Sequence, residues 1–202
     1  MLDRVARRLI DPPLNVIGAR MARLGIAANA VTIAGLALGL IGAACVAFGH
    51  FATGLIFILL GRLLDGLDGA VARHSRKTDF GGYLDITCDF LMYGAVPLAF
   101  VLHDPALNGA AGAFLLASFY TNGASFLGYA ILAERFDLET SAQGVKSLYY
   151  SNGLLEGTET IVFFILLCLF PAAFAGMAWV FGTLCFVTAV LRVWGARHVF
   201  DK

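Results

Sequence analysis

The sequence predicts an all-α integral membrane protein with six transmembrane helices and a short N-terminal interfacial helix. Of its 202 residues, 59% are hydrophobic and 14% are charged, and the mean hydropathy is +0.81. Soluble domains carry about 25% charged residues, so this composition is typical of the membrane class. Two further observations support the prediction: the length of the apolar runs, and the placement of lysine and arginine between them.

Six apolar runs have the length of about 20 residues that a helix needs to cross a bilayer. The apolar part of the second run ends near Leu64, and its helix is expected to continue through DGLDGAVAR. We expect one domain over residues 1–202, made of an amphipathic segment at 1–24 and a six-helix bundle at 25–202. The spans are predicted at 27–48, 52–73, 82–102, 109–133, 154–171 and 173–194.

Lysine and arginine fall on one side of these spans. The connections after spans one, three and five contain neither residue type. The positive-inside rule therefore predicts cytoplasmic termini, in a multi-pass protein of the bacterial inner (plasma) membrane. The basic residues that set this orientation precede span one or follow spans two, four and six: Arg4, Arg7, Arg8, Arg20, Arg23; Arg73, Arg76, Lys77; Arg135, Lys146; Arg192, Arg197, Lys202.

The N-terminal segment alternates apolar and basic residues up to Pro12 and Pro13. We expect the two prolines to break this run. The pattern favours a short interfacial helix beside anionic lipid headgroups. A loose basic tail that only enforces the topology is the alternative.

The overall charge and the cysteines exclude several classes of function. Net charge is zero and there is no basic tract, so we expect no nucleic-acid partner. The cysteines lie in apolar runs without CxxC spacing, and we expect packing residues rather than disulfides or zinc ligands. They are Cys45, Cys88, Cys168 and Cys185.

Four aspartates stand in or beside predicted spans two and three, where a carboxylate costs at least about 2.5 kcal/mol unless it is compensated. Asp65 and Asp68 are three residues apart, and Asp85 and Asp89 are four apart, so each pair shares a helix face. The spans meet on the same side of the membrane, across about a dozen residues, and the pairs are expected to face each other. Clustered carboxylates favour Mg²⁺ or Mn²⁺. Two such ions would clamp a phosphoryl group.

Small residues and one cation follow the first aspartate pair. Gly66, Gly69 and Ala72 lack bulk, so a ligand or a neighbouring helix can approach the backbone closely. Arg73 carries a guanidinium suited to phosphate oxygens. Tight helix packing is an equally good explanation of the glycines, but it does not explain the four aspartates.

The run Asp65-x2-Asp68-Gly69-x2-Ala72-Arg73-x7-Gly81-x3-Asp85-x3-Asp89 resembles the signature of the CDP-alcohol phosphotransferase (phosphatidyltransferase) family. The six-span layout resembles that family as well. The gap between Arg73 and Gly81 is seven residues, about one shorter than the family spacing. The missing residue falls in the connection HSRKTDF, so the metal geometry is expected to survive.

The resemblance implies a metal-dependent transfer of a phosphatidyl or related group from a CDP-linked lipid donor to an alcohol acceptor, with release of CMP, in phospholipid biosynthesis. It implies that Asp65, Asp68 and Asp85 bind two Mg²⁺ or Mn²⁺ ions. Asp89 would share these ions and act as the general base. The substrate-binding positions implied are Gly69, Ala72 and Arg73 for the nucleotide, the motif glycine Gly81, and the Asn-x-x-Thr pair Asn29 and Thr32.

Several alternatives stay open. Asn29 is also suited to capping its helix. An acceptor that carries a phosphate would need cations such as Arg135, Lys146 and Arg192. Glu156 and Glu159 instead favour an amino-alcohol acceptor, as in CDP-choline/ethanolamine-type enzymes. Tyr149 or Tyr150 would then help to bind the ammonium group. The two glutamates also have a purely structural explanation, because the helix dipole favours acidic residues in the first turn of a helix.

Two other functions compete with the enzyme. A divalent-cation carrier could use the same aspartates, although a carrier's acids are expected at mid-bilayer on broken helices. A scaffold with a relic site is the third hypothesis. A homodimer is predicted by the resemblance, and because the small residues Gly35, Gly39 and Gly42 permit close helix contact.

Overall fold

The computed structural model describes residues 2–136 and 157–200, with the backbone alone for residues 2–9. All regular structure in these ranges is helical, and a short 3-10 turn at Pro171–Ala173 joins the last two helices. The helices are α1 (Leu2–Arg23), α2 (Ala28–Ala47), α3 (Phe51–His74), α4 (Asp79–His103), α5 (Pro105–Arg135), α6 (Gly157–Leu169) and α7 (Phe174–Phe200).

Three helical segments of the described chain are long and apolar enough to cross a membrane: Ala28–Ala47, Asp79–His103 and Pro171–Phe200. A shorter apolar helix lies at Gly157–Leu169. The predicted all-helical class is confirmed. Helix α3 is less apolar than these because Arg62, Asp65 and Asp68 lie within two of its turns.

Helix α1 is continuous through Pro12 and Pro13, so the prediction that they break the run is wrong, and a loose tail is excluded. A proline inside a helix costs about 3 kcal/mol, and tertiary packing can offset that cost. Leu14 is buried in a cluster with residues of α2 and α3. Gly18 lies so close to α3 that an added Cβ would be 2.6 Å from Ala70 Cβ.

The glycines of α2 serve packing inside the chain. An added Cβ would lie 3.0 Å from Gly61 O at Gly35, and 2.8 Å from Gly54 O at Gly42. At Gly39 it would meet Met92 of α4. These glycines let α2 approach α3 and α4 closely. The sequence-based assignment of them to a dimer interface is therefore wrong.

Helices α3 and α4 run in opposite directions and are joined by residues 75–78 alone. The connection is shorter than predicted because α3 continues to His74 and α4 begins at Asp79. Thr78 caps α4 by accepting a hydrogen bond from Gly81 N at 3.0 Å. Both helices pack on α2 and make few direct backbone contacts with each other. A space between them is therefore left open.

The main core is apolar and includes Phe100, Phe164 and Phe174. Phe100 stacks on Phe174 with ring centroids 4.9 Å apart. All four cysteines are unpaired, three of them buried, which agrees with the packing role predicted for them.

Candidate metal centre and adjoining cleft

Three aspartates converge between α3 and α4. Asp65, Asp68 and Asp85 each offer one carboxylate oxygen, and the three oxygens lie within 4.8 Å of one another. Asp65 and Asp68 share a face of α3 because they are one turn apart. Asp85 meets them because the short connection folds α4 back beside α3.

Asp68 is the most buried member of this group, with 5% of its surface exposed. Its Oδ2 atom has no hydrogen-bond partner among the described residues. A buried carboxylate oxygen without a partner is costly, and a cation would compensate it. Opposite ligands of an octahedral Mg²⁺ lie about 4.2 Å apart, since each bond is about 2.1 Å long. The three carboxylates therefore fit a hard divalent cation after small adjustments.

The fourth aspartate, Asp89, is not a member of this three-carboxylate group. Asp89 Oδ1 accepts a hydrogen bond from Arg62 Nη1 at 2.5 Å. The same guanidinium donates from Nη2 to Asp65 Oδ1 at 3.2 Å. Arg62 thus bridges α3 and α4 next to the three-carboxylate group.

Sequence reasoning missed Arg62, although a signal was present. It is a lone cation in the apolar run of α3, three residues before Asp65. An arginine in such a run needs an acidic partner, and the i, i+3 spacing already placed one on the same face. Its second partner, Asp89, is 27 residues away and only the fold brings it close.

A cleft of about 250 Å³ opens beside the aspartates. Asp68 and Asp85 lie on its wall, as do three cations from the stretch between the two aspartate pairs: Arg73, Arg76 and Lys77. The structure also brings the predicted substrate-binding residues to this cleft: Asn29, Thr32, Gly69, Ala72, Arg73 and Gly81. Negative and positive charges thus meet in one cavity, as the recognition of a phosphate with a bound metal requires.

Asn29 does not cap its helix. The N-cap of α2 is Ala27, with no side-chain capping hydrogen bond, so Asn29 lies inside the first turn and its capping interpretation is wrong. Its amide faces α4 closely, since a Cβ at Gly81 would lie 3.1 Å from Asn29 Oδ1 and 3.0 Å from Thr78 Oγ1. Glycine at 81 thus leaves room for the Asn29 side chain.

Helix α1 reaches the motif arginine. Asn15 Oδ1 accepts hydrogen bonds from Arg73 Nε at 3.1 Å and from Arg73 Nη2 at 2.9 Å. The remaining terminal nitrogen, Nη1, lies beside Gly69, where a Cβ would be 3.5 Å from it. Sequence reasoning missed Asn15 because it treated residues 1–24 as a surface segment.

The candidate acceptor-binding residues that the structure describes are spread over α5, α6 and α7. Arg192 of α7 donates through Nη1 to Asn122 Oδ1 at 2.9 Å and to Ser125 Oγ at 2.6 Å, both on α5. Arg135 lies in the last turn of α5, and Glu159 lies in the first turn of α6, where the helix dipole favours an acid. Outside the described residues are Lys146, Tyr149, Tyr150 and Glu156.

The arrangement matches a known family over most of the chain. The model of the CDP-alcohol phosphatidyltransferase family matches residues 25–194. The chain belongs to this family. It is a transferase of phospholipid biosynthesis that moves a substituted phosphate group from a CDP-linked donor to an alcohol. The resemblance read from the aspartate motif is confirmed.

Two relatives of this transferase extend the comparison. It is 46% identical over 194 residues to the inner membrane protein YnjF of Escherichia coli (strain K12), with 96% of this chain and 94% of that protein covered. It is 30% identical over 199 residues to archaetidylinositol phosphate synthase of Pyrococcus horikoshii, with 98% and 97% covered. The transferase is a membrane protein, because it has apolar helices long enough to cross a bilayer and because its E. coli relative is an inner membrane protein.

Its fold is that of phosphatidylinositol phosphate synthase (PgsA1) of Mycobacterium tuberculosis. The crystal structure of that enzyme with CDP-DAG bound has a TM-score of 0.72 at 23% identity, and 91% of this chain and 93% of that chain are covered. The structure of the same enzyme with manganese and citrate has a TM-score of 0.66 at 21% identity, with 91% and 88% covered. At this identity the likeness concerns the fold alone.

Proposed function

We propose that this protein transfers a phosphatidyl group from CDP-diacylglycerol to an alcohol, using two Mg²⁺ or Mn²⁺ ions. The observation that carries the proposal is the meeting of three carboxylates within 4.8 Å at the wall of a cleft lined by Arg73, Arg76 and Lys77. The M. tuberculosis enzyme of the same fold has been crystallised with CDP-DAG and with manganese. Both ligand types suit the charges of this cleft.

Each residue has a role in the proposed reaction. Divalent ions held by Asp65, Asp68 and Asp85 would neutralise the diphosphate and stabilise the departing CMP. The three cations of the cleft bind phosphate oxygens. Gly69 and Ala72 leave room for the nucleotide, while Asn29 and Thr32 contact the donor from α2 beside Gly81.

The acceptor hydroxyl oxygen attacks the phosphorus of the donor, and the bond from that phosphorus to the CMP oxygen breaks. Asp89 takes the hydroxyl proton as the general base. Asp89 lies one turn beyond Asp85 on α4 and one hydrogen bond from Arg62. Asp89 would also help to hold the ions in a two-metal centre.

We place the cleft on the cytoplasmic side of the inner (plasma) membrane, in a six-span homodimer with both termini cytoplasmic and one domain over residues 1–202. The orientation is supported by Arg73, Arg76 and Lys77 at the α3–α4 junction, and by the absence of lysine and arginine from residues 48–50 and 104–108. The dimer rests on family resemblance.

An acceptor that carries a phosphate is favoured over an amino-alcohol. The P. horikoshii relative, covered almost completely, is an archaetidylinositol phosphate synthase. Glu159 lies in a helix first turn and thus has a structural explanation. A cation carrier is disfavoured because the aspartates line a cleft that also holds three cations, where a carried cation would be repelled.

The test supplies the purified full-length protein with CDP-diacylglycerol, Mn²⁺ or Mg²⁺, and a panel of alcohols that includes inositol phosphate, glycerol 3-phosphate and ethanolamine. CMP release and the mass of the lipid product are measured. We expect CMP only with metal, and a product that retains the acceptor phosphate. Mn²⁺ uptake into liposomes without any CMP release would instead establish the carrier.

A further inference from the structure

Arg62 is a buried cation whose bonding is incomplete. Its side chain is 11% exposed, and it reaches Asp89 through Nη1 and Asp65 through Nη2. Its Nε atom is buried and has no hydrogen-bond partner among the described residues. A guanidinium has five N–H donors, so the described ion pairs leave a buried donor unsatisfied.

The aspartates and Arg62 form two layers. Arg62 lies one turn before Asp65 on α3, and Asp89 lies one turn after Asp85 on α4. Because α3 and α4 run in opposite directions, both residues are displaced away from the α3–α4 junction. Asp68 and Asp85 form the layer nearer the junction and line the cleft. Asp65 lies between the layers, in contact with Arg62 and within the three-carboxylate group.

The two layers are expected to differ in how strongly they bind divalent ions. The three-carboxylate group carries a formal charge of about −3 when ionised, and it accepts one divalent ion without any change at Asp89. A second ion needs Asp89 as a ligand. Asp89 Oδ1 is already engaged by Arg62, whose positive charge repels an incoming cation.

We propose that Arg62 is a positioning residue that holds Asp89 apart from the three-carboxylate group, so that the second divalent ion binds more weakly than the first. The second ion then binds together with the donor. The donor diphosphate supplies negative charge in place of the charge on Asp89 that Arg62 neutralises. This inference rests on the proposed two-metal function of the same site.

The test is a Mn²⁺ titration of the full-length protein in nanodiscs without substrate, followed by the loss of the free-ion EPR signal and the appearance of a spin-coupled Mn²⁺ pair. We expect wild type to bind one ion tightly and the second at least about tenfold more weakly. Arg62→Gln frees Asp89 and removes the repelling charge. It should tighten the second site at least about tenfold, so that the pair signal appears at lower Mn²⁺ concentration.

Two further variants complete the design. Arg62→Lys keeps the charge, but an ammonium does not reproduce the planar fork that bridges both carboxylates, and the second site should tighten about threefold. If Arg62→Gln does not fold, the Arg62→Lys titration decides. Arg192→Gln is the matched control, because this half-buried arginine makes its described hydrogen bonds to Asn122 and Ser125 and to no aspartate. Its titration should match wild type.

The outcomes separate the inference from the proposed function. Wild-type protein that binds less than one Mn²⁺ would refute the metal centre itself. Wild-type protein with two equal sites, or an Arg62→Gln curve that coincides with wild type, would overturn the role of Arg62 and leave the metal-dependent reaction intact.

Discussion

Asn15 of α1 accepts two hydrogen bonds from Arg73 of α3, at 3.1 Å from Nε and 2.9 Å from Nη2. The amphipathic helix therefore orients the motif arginine that lines the cleft. Asn15 and Arg73 are 58 residues apart in sequence, so a helix at the N-terminus supports the proposed donor site. Its contribution is positional, because Asn15 contacts Arg73 and is not among the residues that line the cleft.

Asn15→Ala should weaken donor binding. The loss of two hydrogen bonds to a guanidinium at an exposed site corresponds to about 1 kcal/mol, or about a fivefold rise in KM for CDP-diacylglycerol. We expect kcat to change less, since the aspartates are untouched. Steady-state CMP release measures both constants. Val16→Ala, at an exposed position of the same helix, is the control and should match wild type. An unchanged KM in Asn15→Ala would show that Arg73 needs no partner.

Gly18→Val should separate α1 from α3. The added side chain would clash with Ala70, since even a Cβ would be 2.6 Å from Ala70 Cβ and 2.8 Å from its carbonyl carbon. Overpacking of this kind costs about 1–3 kcal/mol. Thermal unfolding in detergent should show a lower Tm. Gly128→Ala, where a Cβ meets nothing within 4 Å, should leave Tm unchanged or slightly raised. A wild-type Tm for Gly18→Val would mean that α1 does not dock in solution.

Gly81→Ala should reduce turnover without unfolding the protein. The new Cβ would press on Asn29 Oδ1 at 3.1 Å and displace that side chain from its place in the cleft. We expect CMP release to fall about tenfold, equivalent to about 1.4 kcal/mol. Gly94→Ala changes the same helix at a position where a Cβ has open space. It controls for the gain in helix propensity and should retain wild-type activity. Equal rates for both variants would contradict a role for Asn29 in donor binding.

Asp68→Asn should stabilise the metal-free protein while it abolishes catalysis. The neutral amide removes the charge of a buried carboxylate whose Oδ2 has no partner among the described residues, and burying such a charge is costly. In EDTA, the variant should have a Tm equal to or above that of wild type. Added Mn²⁺ should raise the Tm of wild type only, since metal binding stabilises the folded state.

The control for Asp68→Asn is Asp79→Asn, because Asp79 is an exposed acid in the first turn of α4 and lies outside the three-carboxylate group. It should retain both the Mn²⁺-induced rise in Tm and the release of CMP. If Mn²⁺ raised the Tm of Asp68→Asn as much as that of wild type, Asp68 would not be a ligand.

The local sequence predicted much of this molecule. The apolar runs indicated where α2 to α7 lie, and the 3- and 4-residue spacings put each aspartate pair on one helix face. The order of the motif from Asp65 to Asp89 was enough to indicate the family. These features were readable because they depend on residues within one or two helical turns of each other, or on their order along the chain.

Other features were decided by tertiary structure alone. Packing against α3 keeps α1 helical through Pro12 and Pro13. The glycines of α2 contact α3 rather than a second subunit because that surface lies inside the bundle. Arg62 meets Asp89 and Asn15 meets Arg73 across 27 and 58 residues. No local periodicity encodes such pairings, because they depend on which helix faces close against each other. The sequence by itself therefore determined which chemical groups form the site. The packing of α1, α3 and α4 decided which side chain pairs with which arginine.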